Sequence, residues 1–188
     1  MVLSHMLPAD QSSWWDFAHR LADEGYLALT YDFRGYCPGG VAGCSAGDKD
    51  VSAIWKDVLG AIAFIRSEGA HRVMLVGASM GGTASLVAAA QPGADVAAVI
   101  TLSAPISIEG LTAGPEVLTQ VRGAKLFIAG VGDPTGAAGS AQQLYDASPP
   151  PKRIDIEPSN GHGTDLLNGS EVVRNLVLTY LTQYRSTS

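Results

Sequence analysis

Short runs of consecutive apolar residues alternate along this chain with longer stretches whose apolar positions recur at helical spacing. The first kind predicts strands buried on both faces, and the second predicts amphipathic helices. Strands are expected at Val2–His5 (a truncated one), Leu27–Asp32, Val73–Gly77, Val96–Leu102, Lys125–Gly130 and Arg153–Ile156. Helices are expected at Ser12–Glu24, with Ser12 or Ser13 as the cap, and at Asp48–Glu68, Met80–Gln91, Glu116–Arg122, Ser140–Ala147 and Ser170–Tyr184. Val51, Ile54, Trp55, Val58, Ile62 and Ile65 make the apolar stripe of the longest helix. Strands that alternate with helices imply right-handed crossovers and a mostly parallel sheet, an α/β fold. No repeat or linker interrupts the pattern, so residues 1–188 read as a single domain. The triple proline at 149–151 reads as a stiff entry into the last strand.

Composition narrows the class. With 188 residues, 46% hydrophobic and 16% charged, the chain can bury a substantial core, which excludes disordered and coiled-coil classes. The net charge is −6 and the Lys and Arg residues are scattered, so nucleic acid is excluded as a partner. No apolar run is long enough to span a bilayer, and the first ten residues lack the pattern of a signal peptide. The cytoplasm is therefore the expected compartment, with secretion left open if the chain is a fragment. Cys37 and Cys44 enclose six residues rich in glycine and could close a small disulfide loop; in a reducing cytoplasm they would be free thiols. No metal site is expected from two thiols without a nearby histidine.

The candidate chemistry starts at Gly77-Ala78-Ser79-Met80-Gly81-Gly82. This is Gly-x-Ser-x-Gly between an apolar strand and a small-residue helix, the pattern of a nucleophile elbow. Gly77 and Gly81 remove the Cβ atoms that so sharp a turn would bring into collision. A serine hydroxyl needs a base, and the base needs a carboxylate to orient it. Among four histidines, His162 lies in a glycine-flanked loop after the last strand, at the carboxyl edge that also carries Ser79. His5 ends the first strand, His19 reads as a solvated helix residue, and His71 lies at the opposite edge. Asp133 follows the Lys125–Gly130 strand and also reaches the carboxyl edge; Asp146, Asp155 and Asp165 are worse placed. The order Ser79, Asp133, His162 is the one described for α/β-hydrolases.

On these motifs the chain resembles the α/β-hydrolase family, in particular its small lidless esterases and dienelactone-hydrolase-like members. Gly130-Val-Gly-Asp-Pro134, Gly161-His-Gly163 and Gly25-Tyr-Leu-Ala-Leu-Thr-Tyr-Asp-Phe-Arg-Gly35 carry the likeness further. So does the segment His5–Trp14, which looks like the oxyanion loop, with Met6 where the family has glycine. The resemblance implies a minimal α/β-hydrolase sheet of about six strands flanked by helices. It implies that the family's first strands are missing and that no lid is inserted in Ser103–Gly123. It assigns catalysis to Ser79, Asp133 and His162, and oxyanion stabilisation to the backbone N–H groups of Leu7 and Met80. Leu7, Met80, Ile106, Ile108 and Leu111 are candidates either for acyl contact or for ordinary packing, and at least one of Trp14 and Trp15 is expected in the core. With the first strands missing, Leu27–Asp32 would be an exposed sheet edge, to be covered by the second subunit of a homodimer or, if the chain is a fragment, by the rest of a longer protein.

The function implied is hydrolysis of short-chain acyl esters through an acyl-enzyme, with no cofactor and a small-molecule ester as the partner. The alternatives are thioester or lactone hydrolysis by the same residues, and a non-catalytic binder built on the same fold.

Overall fold

The computed structural model describes residues 1–36 and 43–185. Its strands are β1 (Val2–Ser4), β2 (Leu29–Tyr31), β3 (Val73–Ala78), β4 (Val96–Leu102), β5 (Ser107–Ile108), β6 (Leu111–Thr112), β7 (Ala124–Gly130) and β8 (Lys152–Glu157). The helices are α1 (Trp15–Asp23), α2 (Trp55–Ser67), α3 (Met80–Ala89), α4 (Pro115–Leu118), α5 (Ala137–Ala147), α6 (Thr164–Asn168) and α7 (Glu171–Gln183).

Six strands form one sheet in the order β2-β1-β3-β4-β7-β8, and every pairing in it is parallel. This is the α/β-hydrolase fold, and it puts all the β-to-α loops that follow these strands on one edge. Alternation along the central strands explains the layers. Val73 and Leu75 of β3 and Phe127 and Ala129 of β7 face a core shared with α2, α3 and α5. Met74, Val76, Leu126 and Ile128 point the other way, into a core shared with α1, α6 and α7. All ten residues of α3 are buried, because their small side chains let the helix lie close to the sheet. Trp14 is fully buried, whereas Trp15 is exposed.

Several boundaries differ from the sequence expectation, each for a local reason. The expected helix from Ser12 starts as a 3-10 turn at Gln11–Trp14, and its cap is Asp10, whose carboxylate accepts from the Ser12 N–H at 2.7 Å. The expected helix Asp48–Glu68 breaks into a short 3-10 turn at Val51–Ala53 and α2, with Ser52 donating to the Asp50 carboxylate at 2.6 Å in competition with the backbone ladder. Pro115 starts α4 one residue early, as the first helical position suits proline. The β5–β6 hairpin was not foreseen. Its strands are two residues each, too short for a pattern, and its turn at Glu109-Gly110 has φ of +45° and +84°. Helix α6 lies where the sequence predicts no helix. The candidate Cys37–Cys44 bridge has its first cysteine outside the described residues. No helix among the described residues is long and apolar enough to cross a membrane.

One buried charge makes a testable contribution. Lys125 on β7 is fully buried, and its ammonium donates to the carbonyls of Val121 at 2.9 Å and Gly123 at 2.7 Å. Burial, aided by repulsion from Lys152, pushes its pKa down to about 8. Between that value and the usual pKa near 10.4, the unfolded chain holds the proton and the folded one releases it. Stability should therefore rise with pH from about 8 to 9.5, by on the order of 1 kcal/mol. Urea unfolding at pH 8.0 and 9.5 should show the rise, and Lys125→Met should flatten it.

Candidate active site

Ser79 sits at the end of β3 with φ 48° and ψ −120°, a conformation that strains any residue with a side chain. Such strain costs on the order of 1–3 kcal/mol and persists only where the surroundings impose it. Here they do. The Ser79 N–H donates to the Leu102 carbonyl at 2.8 Å, and its own carbonyl accepts from Gly82 and Thr83 as α3 begins. A Cβ on residue 77 would lie 2.3 Å from the Gly81 oxygen. One on residue 81 would lie 2.4 Å from the Ser4 oxygen and 2.5 Å from the His5 oxygen. The two glycines thus let α3 start directly against β3 and against the loop leaving β1.

Asp133 and His162 are brought together by a zipper beyond the sheet. Past β7 and β8 the chains keep pairing: Val131 N–H donates to the Glu157 carbonyl at 2.8 Å and Gly132 N–H to that of Ser159 at 2.9 Å. The approach is so close that a Cβ on residue 130 would stand 2.4 Å from the Ser159 oxygen. His162 Nδ1 ends 2.7 Å from Asp133 Oδ2. The carboxylate is buried, while the imidazole is partly open to solvent. Burial alone would raise the Asp133 pKa, but hydrogen bonds from Thr135 and His162 outweigh it and hold the carboxyl below its ordinary value. An ionised carboxylate can only accept, so the Nδ1 facing it carries a proton and Nε2 is the basic nitrogen of the neutral ring.

Thr135 was missed by the sequence reading. Its backbone N–H at 3.0 Å and its hydroxyl at 2.8 Å both donate to Asp133 Oδ1, which leaves Oδ2 to His162. The only sequence trace is a threonine two residues after an aspartate, where local turns of this kind are common. Thr135→Val removes the hydroxyl donor and keeps the N–H. It is expected to let the Asp133 carboxyl rise toward its ordinary pKa, with Thr135→Ser restoring the wild-type value, since the hydroxyl favours the charged form. An unchanged carboxyl titration by NMR in the valine variant would contradict that role.

Ser79 and His162 line one cleft of about 190 Å³, together with Ser103, Pro105, Ile108 and Thr135. The β5–β6 hairpin, which precedes the short helix α4, supplies Ile108 as a wall. Of the candidates for acyl contact, only Ile108 lines this cleft. Met80 and Leu111 are buried in the core, and Leu7 and Ile106 pack against it. A larger hollow near Gln91 and Arg122 lies at the opposite, amino edge of the sheet. His19 and His71 are exposed.

His5 has a structural task. Its Nε2 accepts from the Phe33 N–H at 3.1 Å, and its Nδ1 lies 3.0 Å from the Met6 carbonyl. An accepting Nε2 requires a neutral ring, and burial pushes the His5 pKa down. The 3.8 Å approach to Asp32 is therefore no ion pair. Packed between the Phe33 and Tyr36 rings, His5 anchors the loop at Met6-Leu7. Met6 itself fills the space where a Cβ on Gly163 would fall, which ties this loop to the one carrying His162. No group of three or more His, Cys, Asp or Glu among the described residues could hold a metal ion.

Comparison with known proteins agrees with the fold. Residues 2–127 match the family described as serine aminopeptidase, S33. That span contains Ser79 and stops before Asp133 and His162. No curated protein matches the chain in sequence. Among solved structures, an esterase from Pyrococcus furiosus superimposes with a TM-score of 0.83 at 15% identity, over 98% of this chain and 81% of that one. The enol-lactonase from Burkholderia xenovorans gives 0.76 at 17% identity, over 96% and 90%. A dienelactone hydrolase from Anabaena variabilis gives 0.74 at 18% identity, over 97% and 85%.

Proposed function

Because the chain belongs to the serine aminopeptidase, S33 family of α/β hydrolases, we propose that it is a serine hydrolase that cleaves short-chain acyl esters through an acyl-enzyme. The observation that carries this reading is one arrangement: Ser79 on a strained elbow shares a cleft with His162, whose Nδ1 lies 2.7 Å from the buried Asp133.

In this mechanism the Ser79 oxygen attacks the ester carbonyl as His162 Nε2 takes its proton. Asp133 stabilises the imidazolium so formed. The backbone N–H groups of Leu7 and Met80 stabilise the oxyanion, typically worth roughly 3 kcal/mol per donor. His162 then gives the proton to the departing alcohol. Water attacks the acyl-enzyme, His162 takes its proton and returns it to Ser79, and the acid leaves. The reaction draws on no metal or cofactor.

Esters fit the cleft better than peptides with a free amino terminus. Holding a substrate ammonium calls for a carboxylate in the site, and among the described residues none lines the cleft. Lactones, the substrate class named for the Burkholderia neighbour, would use the same chemistry. A fluorophosphonate probe tests the nucleophile directly. The expected adduct lies on the peptide carrying Ser79 and is lost when the protein is unfolded first. An intact protein that takes up no label, or takes it up elsewhere, would overturn the proposal.

A further inference from the structure

Among the described residues, the nine that line the cleft include five with hydroxyl groups and, apart from His162, none that carries charge. Three of the five are occupied. Ser79 is the proposed nucleophile, Thr135 serves Asp133, and Ser107 is hydrogen-bonded to Thr112 at 2.8 Å. Ser140 stands at the rim, half-buried on the first turn of α5. Ser103 is different. It is 1% exposed, and its Oγ has no hydrogen-bond partner among the described residues.

Ser103 also holds an unfavourable backbone, with φ +56°. That backbone is clamped from three sides. Its N–H donates to the Ile128 carbonyl at 2.8 Å, and Ala104 sits where a Cβ on Gly82 would fall. Thr83 donates its hydroxyl to the Pro105 carbonyl at 2.6 Å. At such a φ glycine is the cheaper residue, and an unpaired buried hydroxyl adds a further cost. Nothing in the packing of the fold compensates for either.

We infer that Ser103 is a specificity-determining residue, and that the cleft selects uncharged acyl groups bearing an oxygen on the carbon next to the scissile carbonyl. The inference rests on the esterase reading and names its substrate class. Register sets the position. Ala78 and Leu102 are the last paired residues of β3 and β4, adjacent strands about 4.8 Å apart, so Ser79 and Ser103 each open the loop leaving its strand at the same edge, and both line the cleft. A substituent held by Ser103 is therefore within a bond or two of the carbon that Ser79 attacks. Rotation about χ1 moves Oγ among three staggered positions while the clamped backbone stays still, so the hydroxyl can turn to a ligand. A carboxylate on the acyl group would meet no lysine or arginine among the described residues that line the cleft.

The test compares two esters of equal length, p-nitrophenyl methoxyacetate and p-nitrophenyl butyrate, in which an oxygen replaces a methylene. Taking the ratio of kcat/KM for the pair, then comparing variants, cancels their different intrinsic reactivity. Ser103→Ala and Ser103→Gly are expected to lower the methoxyacetate-to-butyrate ratio about ten-fold, the order of one lost hydrogen bond. The glycine variant relieves the left-handed strain, so it should fold at least as well as wild type. Both esters slowed equally would overturn the proposal, as would a p-nitrophenyl hemisuccinate cleaved as fast as the butyrate.

A second measurement needs no turnover. Methoxyacetamide and butyramide are titrated into Ser79→Ala with and without Ser103→Ala, followed by NMR shifts of cleft residues. Tighter binding of methoxyacetamide, lost on Ser103→Ala, is expected. Equal binding overturns the role of Ser103. A preference for methoxyacetamide that depends on Ser103, alongside a wild-type protein that cleaves neither ester, overturns the hydrolase reading alone.

Discussion

Replacing Ser79 with alanine is expected to abolish ester hydrolysis and leave the fold intact. The hydroxyl is the only group the substitution removes. The Ser79 N–H bond to Leu102 and the start of α3 are backbone features that alanine keeps. Alanine at φ 48° bears the same strain as serine, so the melting temperature should move little. Loss of the nucleophile from a serine-based set costs about as much as loss of the whole set, on the order of a million-fold in kcat where it has been measured. A fall of at least about a thousand-fold in p-nitrophenyl butyrate turnover is the expected result, with the remainder due to oxyanion donors and binding. His162→Ala should give a comparable loss, because either removal disables the same proton transfer. Variants that keep wild-type rates, with unchanged circular dichroism, would mean that Ser79 is not the nucleophile.

The second large effect is structural. Gly81→Ala places a methyl group 2.4 Å from the Ser4 oxygen and 2.5 Å from the His5 oxygen. Both are backbone atoms held by the pairing of β1 with β2 and β3, so neither can swing aside. The first turn of α3 must instead move away from the sheet, and with it Ser79 and the Met80 N–H. Overpacking a well-filled core typically costs about 1–3 kcal/mol, and a clash with fixed backbone lies at or beyond the upper end. For a chain of this size that is a drop in melting temperature of roughly 6–12 °C. Gly60→Ala provides the control. Residue 60 lies inside α2, a Cβ there meets nothing within 4 Å, and the change should stabilise by about 0.5–1 kcal/mol. A Gly81→Ala protein that melts with wild type would show that α3 can slide, and would remove the steric reason for glycine at that position.

The parts legible in the sequence were those set by local chemistry. Elements at β3, β4, β7 and α7 lie close to their expected ranges, since continuous apolar runs and an amphipathic period are properties of the chain alone. The glycine–serine–glycine pattern signalled a sharp strand-to-helix turn for the same reason. Misplaced boundaries came where a side chain competes with the backbone, as Asp10 and Ser52 do, and the β5–β6 hairpin escaped because two-residue strands leave no pattern. The likeness to a family also pointed to acyl contacts that proved largely unhelpful, because Met80 and Leu111 are core residues and apolar character does not distinguish a wall from a core.

By itself the sequence determined the class of fold, the elbow, and the order in which Ser79, Asp133 and His162 follow their strands. Local propensity and hydrophobic period act over a few residues, and a strand's place before a loop fixes which edge of a parallel sheet that loop reaches. Only the tertiary structure decided that the loops after β7 and β8 zip together, so that Asp133 and His162 meet at 2.7 Å. It alone turned Thr135 onto the carboxylate, kept His5 neutral between two rings, and set Ser103 beside Ser79 without a partner. Each of these depends on atoms far apart in the chain, whose distances are set by register and packing across the sheet.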